Sequence, residues 1–135
     1  MRPTKDEYYL NIARAIAARS TCLRRQYGAV IVNNDEIIAT GYNGAPRGEA
    51  NCCDTGICRR DANLPPVDPM AAKHGMQYDS CVAVHAEQNA IISASRAEMQ
   101  GATLYLASLD GKTAYPCNIC NRMIKNAGII RVCIG

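Results

Sequence analysis

Two short segments restrict the folds that this chain can adopt. They are His85-Ala86-Glu87 and Pro116-Cys117-Asn118-Ile119-Cys120. Together they supply one imidazole, two thiols and one carboxylate. An imidazole and two thiolates form a zinc ligand set that leaves the fourth position open for water, as catalytic zinc sites do. The fold must therefore bring the two segments together, with Glu87 beside the metal as a free acid or base.

The composition is that of one globular domain. The chain has 135 residues, of which 48% are hydrophobic and 20% charged, and this length suffices for one core. The net charge of +3 is mild, and the sequence lacks the basic stripe and interleaved aromatic residues that favour nucleic-acid binding. We therefore expect a single domain over residues 1–135 and no nucleic-acid partner.

The eight cysteines indicate metal binding. No apolar run approaches the roughly 18 residues that a membrane span needs. Polar residues also interrupt the N-terminal segment in which a signal peptide would lie. We therefore expect no membrane partner and a cytoplasmic protein, whose thiols stay reduced and favour metals over disulfides.

Helical and strand periodicities predict an α/β fold. Thr4 and Glu7 form a capping-box pattern before an amphipathic helix over residues 5–19, and the apolar runs 28–32 and 36–40 predict a β-hairpin. Further along, the patterns predict a loop-like, Cys-rich insertion over about 41–80, helices over 85–96 and 117–127, and strands over 103–107 and 129–134. A hairpin followed by βα units indicates a three-layer α/β/α sandwich with a mixed sheet.

In this interpretation both metal-ligand segments open helices. Helix N-termini favour the thiolate form, and the spacing places Cys117 and Cys120 one turn apart on the same side. H-x-E followed by P-C-x-x-C is the known signature of zinc-dependent nucleobase deaminases.

Glu87 has a role in such a reaction. It would take a proton from the attacking water, protonate the ring nitrogen beside the target carbon, and pass a proton to the leaving amine. The alternative is a non-catalytic zinc module or nucleotide sensor, in which Glu87 is a solvated helix residue. A general acid–base at this spacing argues against that alternative, because a structural site has no use for one.

At this point the chain resembles a known family. The segments that carry the likeness are Gly28-Ala29-Val30-Ile31-Val32, Gly41-Tyr42-Asn43-Gly44-Ala45-Pro46, His85-Ala86-Glu87-Gln88-Asn89-Ala90-Ile91 and Pro116-Cys117-Asn118-Ile119-Cys120. They resemble the deoxycytidylate (dCMP) deaminase family of the cytidine deaminase-like superfamily, from about Arg19 onwards. The Gly-Tyr-Asn-Gly-x-Pro segment is the most specific, and it argues against tRNA adenosine deaminases and riboflavin-pathway deaminases.

The resemblance implies a reaction and its regulation. It implies hydrolysis of dCMP to dUMP and ammonia, activation by dCTP, inhibition by dTTP, Mg²⁺ with a bound regulatory triphosphate, and a homo-oligomer that is usually a hexamer. By analogy Asn43 contacts the sugar or base, the Ala86 backbone contacts the pyrimidine, and Tyr115 lines the base pocket. Many family members continue past the strand at 129–134, so the sheet is expected to lack their last strand and to have an exposed edge.

A second metal site is predicted from the remaining cysteines. The candidates outside the catalytic set are Cys22, Cys52, Cys53, Cys58, Cys81 and His74. A closed structural zinc site would order the long irregular segment, and some dCMP deaminases resemble this arrangement. Cys22 and Cys52 match the family ligand positions best, and Cys81 is well placed. His74 and Cys58 compete for the fourth position, with Cys53 behind them. The alternative is a set of buried or free thiols.

A nucleotide phosphate needs cationic partners. Arg25 and Arg24, near the first strand, and Arg47, after the Gly-Tyr-Asn-Gly segment, are candidates, and Arg19 is a weaker one. Each could equally be a solvated surface residue. The sequence leaves open an enzyme that also accepts dCTP and, as a more distant alternative, a nucleic-acid cytidine or adenosine deaminase.

Overall fold

The computed structural model describes residues 1–67, 70 and 80–135 of the chain. The helices are α1 (Lys5–Ala17), α2 (Cys52–Thr55), α3 (Ala86–Ile92), α4 (Arg96–Met99) and α5 (Asn118–Ala127). The strands are β1 (Tyr27–Asn33), β2 (Glu36–Tyr42), β3 (Thr103–Ser108) and β4 (Arg131–Ile134). No helix in these ranges is long and apolar enough to span a membrane.

The strands form one mixed sheet in the order β2-β1-β3-β4. The hairpin pair β1–β2 is antiparallel, and so is the central pair β1–β3. The pair β3–β4 is parallel and is connected through α5. The mixed sheet predicted from the sequence is confirmed.

Helices cover both faces of the sheet because β1 is apolar on both sides. Val30 and Val32 pack beneath α1 with Tyr9 and Ala13. Ile31, on the other face, belongs to the larger core that includes residues of α3 and α5. Since successive side chains of a strand point to opposite faces, these two clusters make the three layers of the predicted sandwich.

Two glycines allow the helices to approach the sheet closely. A Cβ atom at Gly28 would collide with the backbone of α1 at Ala13, and one at Gly41 would collide with the backbone of α3 at Ala86 and Ala90. Because α3 begins with the H-x-E segment, the contact at Gly41 fixes where that segment lies.

The boundaries differ from the predictions where local caps intervene. The predicted helix 85–96 is two helices, since α3 ends at Ile92 and the Ser95 hydroxyl accepts a hydrogen bond from the Glu98 N–H to start α4. The first helix ends at Ala17 rather than at residue 19. The last strand starts at Arg131, because Gly128 ends α5 in the left-handed conformation and residues 129–130 connect that helix end to the strand. The expected loop 41–80 contains the end of β2 and the short helix α2.

Candidate metal centre and active site

The predicted metal ligands lie at the starts of two helices on one face of the sheet. His85 is the N-cap residue of α3 and Cys117 that of α5. The Cys117 sulfur accepts a hydrogen bond from the Cys120 N–H at 3.3 Å, and the His85 N–H donates to the Gln88 side chain at 2.9 Å. The helix starts therefore hold the imidazole and the two thiols in place.

The distances between the ligand atoms fit a tetrahedral metal. His85 Nδ1 lies 3.2 Å from Cys120 Sγ and 3.6 Å from Cys117 Sγ. Zinc bonds of about 2.1 Å to nitrogen and 2.3 Å to sulfur place the two atoms about 3.6 Å apart in tetrahedral geometry. Among the described residues, this is the set of His, Cys or acidic side chains whose three ligand atoms all lie within 4.8 Å of one another.

Glu87 lies against this cluster. Its side chain is 5% exposed. Burial and then the Glu87 carboxylate raise the pKa of the Cys120 thiol. A buried thiolate beside a carboxylate is unfavourable without a cation to offset the charge. The donor set thus fits a divalent metal electrostatically as well as geometrically.

A cavity of about 640 Å³, the first cavity, opens from the cluster. His85, Cys117 and Glu87 line it. Five of the seven residues predicted to contact substrate also line it, namely Asn43, Ala86, Tyr115, Arg24 and Arg25. Tyr115 is 75% exposed and therefore lies at the rim. The structure thus brings the catalytic candidates and most of the predicted substrate contacts to one place.

Arg47 lies elsewhere. It lines a second cavity of about 850 Å³, together with Arg19. Thr21, Gly44 and Ala45 line both cavities and so form the wall between them. The structure does not bring Arg47 together with Glu87.

Asn43 is 6% exposed, and its side chain is largely occupied by the protein itself. Its Oδ1 accepts hydrogen bonds from the Ser20 hydroxyl at 2.6 Å and the Tyr27 N–H at 2.8 Å. Its Nδ2 donates to the Arg25 carbonyl at 2.9 Å. A side-chain amide has two donor hydrogens, so one remains for a ligand. Asn43 therefore both lines the cavity and stabilises its wall through these hydrogen bonds.

Arg25 is already partly neutralised. Its guanidinium lies 3.3 Å from the Asp110 carboxylate and 4.8 Å from the centre of the Tyr27 ring. Hydrogen bonds from the Ser108 hydroxyl and the Lys112 N–H, with a further contribution from Arg25, lower the pKa of Asp110 to about 2. The carboxylate is therefore ionised and holds the guanidinium at the cavity wall.

Four of the cysteines predicted as second-metal ligands gather at the same cavity. They are Cys22, Cys52, Cys58 and Cys81. Burial raises the pKa of the Cys52 thiol, and the charges of the other three sulfur atoms raise it further. These thiols are more loosely spaced than the first cluster, which alone among the described residues brings three ligand atoms within 4.8 Å.

The other candidates for that site lie apart. Cys53 is exposed and lines the second cavity. Cys133, the eighth cysteine and not a candidate for that site, is half-buried in β4, where it packs beside the α1 core. His74 lies outside the described residues.

Sequence reasoning missed three residues that line the first cavity: Tyr27, Arg59 and Arg60. The pKa of Tyr27 is raised, chiefly by burial. Arg59 and Arg60 directly follow the candidate ligand Cys58, and this adjacency was the one signal that could have identified them. Tyr27 lies one residue before the recognised segment that starts at Gly28, and the apolar pattern there did not mark it.

Comparison with known proteins gives a consistent result. The family model described as "Cytidine and deoxycytidylate deaminase zinc-binding region" matches residues 3–135. The deoxycytidylate deaminase of Mycobacterium phage D29 is 43% identical over 97% of this chain and 94% of that protein. The deoxycytidylate deaminase of Schizosaccharomyces pombe is 36% identical over 97% of this chain, which spans 37% of that protein's length.

Solved structures show the same fold. The dCMP deaminase from cyanophage S-TIM5, in complex with dCMP and dUMP, is 28% identical, with a TM-score of 0.66 over 98% of this chain and 81% of that one. Acinetobacter baumannii RibD is 22% identical, with a TM-score of 0.52. The second likeness concerns the fold alone.

Proposed function

Since the chain belongs to the cytidine and deoxycytidylate deaminase family, we propose that it hydrolyses dCMP to dUMP and ammonia. One observation carries the proposal. The ligand set of His85, Cys117 and Cys120 lies in one cavity with the buried carboxylate of Glu87. The similar phage structure that holds dCMP and dUMP supports this choice of substrate.

Each residue of the site has a chemical role in this reaction. His85, Cys117 and Cys120 hold a zinc ion, which when bound supplies Lewis-acid activation of the attacking water. Glu87 accepts a proton from that water and delivers it to the ring nitrogen beside C4. It then takes the remaining proton from the hydroxyl group added at C4 and delivers it to the amino group, which leaves as ammonia while C4 becomes a carbonyl carbon. Water is consumed and no redox partner is needed.

Glu87→Gln tests this assignment. The amide keeps the size of the side chain but cannot accept the proton, so we expect kcat to fall by about 10²- to 10⁴-fold. Glu36→Gln, at the exposed start of β2, is the matched control and keeps full activity. The assay is loss of cytosine absorbance with dCMP, combined with zinc analysis. If the Glu87→Gln variant binds zinc normally and retains more than a fifth of the activity, the proposed role is wrong.

A substrate panel separates the alternatives. dCMP should be preferred over deoxycytidine, CMP and dCTP. Turnover of dCTP at a comparable rate would instead identify a dual dCMP/dCTP deaminase. Activity on single-stranded nucleic acid without activity on any monomer would favour the polynucleotide alternative.

We further propose that the second cavity takes the regulatory triphosphates, dCTP with Mg²⁺ as activator and dTTP as inhibitor. Arg19 and Arg47 supply cationic partners there. The wall it shares with the first cavity includes Gly44 and Ala45, so a ligand bound there is placed to alter substrate affinity. Arg47→Ala should abolish the effect of dCTP on the KM for dCMP and leave activity without dCTP unchanged. Retention of the full dCTP effect would remove the second cavity from the proposal.

We also propose that the chain forms a homo-oligomer, which the family resemblance implies is a hexamer, and that it is located in the cytoplasm. Sedimentation velocity with and without dCTP tests this, and a monomer under both conditions would refute it.

A second, structural zinc ion is proposed at the four thiols of Cys22, Cys52, Cys58 and Cys81. Elemental analysis should give two zinc ions per chain for the unmodified protein and one for Cys22→Ser, with a lower melting temperature. Cys53→Ser, in the other cavity, is the matched control and keeps both ions. One zinc ion per chain in the unmodified protein would refute the site. Loss of one ion in the His74→Ala variant would show that His74, rather than Cys58, is the fourth ligand.

A further inference from the structure

The Ser20 hydroxyl holds the Asn43 side chain in one orientation. It lies 2.6 Å from Asn43 Oδ1 and 2.8 Å from the backbone carbonyl oxygen of the same residue. A serine hydroxyl has one hydrogen to donate, and both of these acceptors belong to Asn43. The Ser20 oxygen in turn accepts a hydrogen bond from the Cys22 N–H at 3.2 Å. Ser20 therefore links the Asn43 side chain to its own backbone and restricts rotation of that side chain.

These contacts leave the Asn43 amide with one free polar group. Its Oδ1 accepts hydrogen bonds from the Ser20 hydroxyl and the Tyr27 N–H, which occupies both lone pairs. Its Nδ2 donates one hydrogen to the Arg25 carbonyl, and no acceptor among the described residues takes the second. Since Asn43 lines the first cavity, its side chain serves a ligand there as a hydrogen-bond donor only.

The backbone at Asn43 is tied to the metal centre. Gly44, the next residue, exchanges two hydrogen bonds with Val84, at 3.1 Å and 2.7 Å. Val84 directly precedes His85, the imidazole of the metal centre. This bridge sets the backbone and Ser20 sets the side chain, so the amide donor has a fixed place relative to the metal centre. Such preorganisation lowers the entropic cost of binding a ligand.

We propose that Ser20 is a positioning residue for substrate binding, which holds the Asn43 N–H where it donates to an oxygen of the nucleoside part of the substrate. Ser20 acts through Asn43, because it lines neither the first nor the second cavity. The oxygen that faces Asn43 is an acceptor, either the sugar hydroxyl or a ring carbonyl. This inference rests on the proposed function for the identity of the nucleotide.

Binding of the product dUMP and of deoxyuridine, measured by calorimetry, tests the inference without relying on turnover. Ser20→Ala removes the hydroxyl, and the net value of one hydrogen bond corresponds to a loss of about 3- to 10-fold in affinity. Both ligands should lose affinity by the same factor, because the acceptor lies on the nucleoside that they share. The KM for dCMP should rise by that factor while kcat changes by less than about twofold, since the side-chain hydrogen bonds of Ser20 do not reach Glu87.

Ser95→Ala is the matched control, because it also removes a serine hydroxyl with two hydrogen bonds and Ser95 lines neither cavity. It should lower the melting temperature and leave dUMP affinity unchanged. In an Asn43→Ala background, Ser20→Ala should cause no further loss of affinity, because Ser20 acts through that amide. If the Asn43→Ala variant does not fold, Ser20→Thr decides. It keeps the hydroxyl and should bind dUMP within about twofold of the unmodified protein.

Four results would overturn the inference: unchanged dUMP affinity in Ser20→Ala, an equal loss in Ser95→Ala, a further loss in the Asn43→Ala background, or no dUMP binding by the unmodified protein. 2′,3′-Dideoxyuridine then identifies the acceptor. If Ser20→Ala weakens its binding by the same factor, the acceptor is a ring carbonyl, and if its binding is unchanged, the acceptor is the 3′-hydroxyl. Deamination of dCMP is measured separately, so absent turnover with Ser20-dependent dUMP binding would refute the proposed function and leave this inference standing.

Discussion

Gly41→Ala tests whether the contact between β2 and α3 positions the carboxylate of Glu87, the proposed acid–base. A Cβ atom at Gly41 would lie 2.5 Å from Ala90 N and closer still to the Ala86 carbonyl oxygen. Both contacts are with backbone, which no side-chain rotation can relieve. For ordinary van der Waals contact at about 3.5 Å, α3 must recede from the sheet by about 1 Å. Glu87 directly follows Ala86, so it must move with the helix.

The expected losses follow from that displacement. Overpacking of a close contact typically costs about 1–3 kcal/mol of unfolding free energy, which for a domain of this size lowers the melting temperature by about 5–10 °C. A misplacement of about 1 Å in a catalytic group can cost on the order of 100-fold in rate. We therefore expect a moderate loss of stability and a much larger loss of kcat/KM for dCMP.

Gly28→Ala is the matched control, because it introduces the same methyl group against a helix backbone on the opposite face of the sheet. Its Cβ would lie 2.6 Å from Ala17 N of α1. It would lie closer still to the Ala13 carbonyl oxygen, a tighter contact than either one at Gly41, so Gly28→Ala should lose at least as much stability by thermal melting as Gly41→Ala. Gly28→Ala should nevertheless keep most of its activity at temperatures where it is folded. Equal activity losses in the two variants, or full activity in Gly41→Ala, would refute the positioning argument.

Two further predictions each concern one hydrogen-bond network. Asn43→Ala should lower the unfolding free energy by about 2–4 kcal/mol, because it removes three side-chain hydrogen bonds and leaves the Tyr27 N–H and the Arg25 carbonyl without that partner. Urea titration measures this loss. A loss below about 1 kcal/mol would contradict the prediction. Asp6 is held at a pKa of about 2, below its ordinary 3.8, mainly by hydrogen bonds from Arg131 and the Tyr105 hydroxyl. Its contribution to stability is therefore present above about pH 4 and lost as the pH falls towards 2. The melting-temperature difference between Asp6→Asn and the unmodified protein should shrink over that range, and a constant difference would refute the assignment.

Local signals in the sequence were sufficient for most of the fold. The Thr4 capping box is present, with the Thr4 side chain bonded to the Glu7 N–H and the Glu7 side chain bonded back. Gly128 ends α5 in the left-handed conformation. These capping residues act within a few positions of a helix end. The hydrophobic periodicity between them determines whether a segment forms a helix or a strand. The break between α3 and α4 was missed because Ser95 offers an N-cap inside a sequence that otherwise continues the helical pattern.

The close approach of the three candidate metal ligands was predictable for a related reason. Cys117 and Cys120 are held in place by their own helix start, and the approach of His85 follows from two helices packing on one face of the sheet. The use of the Asn43 amide was not predictable, because its partners Ser20, Tyr27 and Arg25 come from a different segment of the chain. A motif marks such a residue without revealing which of its hydrogen-bonding groups the protein consumes.

The junction between β2 and α3 links the two cavities, in addition to their common wall. This link determines how a regulatory ligand would act. Gly41 lines the second cavity, and so does Asn89, whose side chain donates to the Tyr42 carbonyl at 2.8 Å and ties α3 to β2. The same helix carries Glu87 at the first cavity. A ligand in the second cavity would therefore contact the junction that sets the distance of α3 from the sheet. Since Glu87 moves with α3, such a ligand should change kcat as well as KM, whereas a ligand acting only through Gly44 and Ala45 should change KM alone.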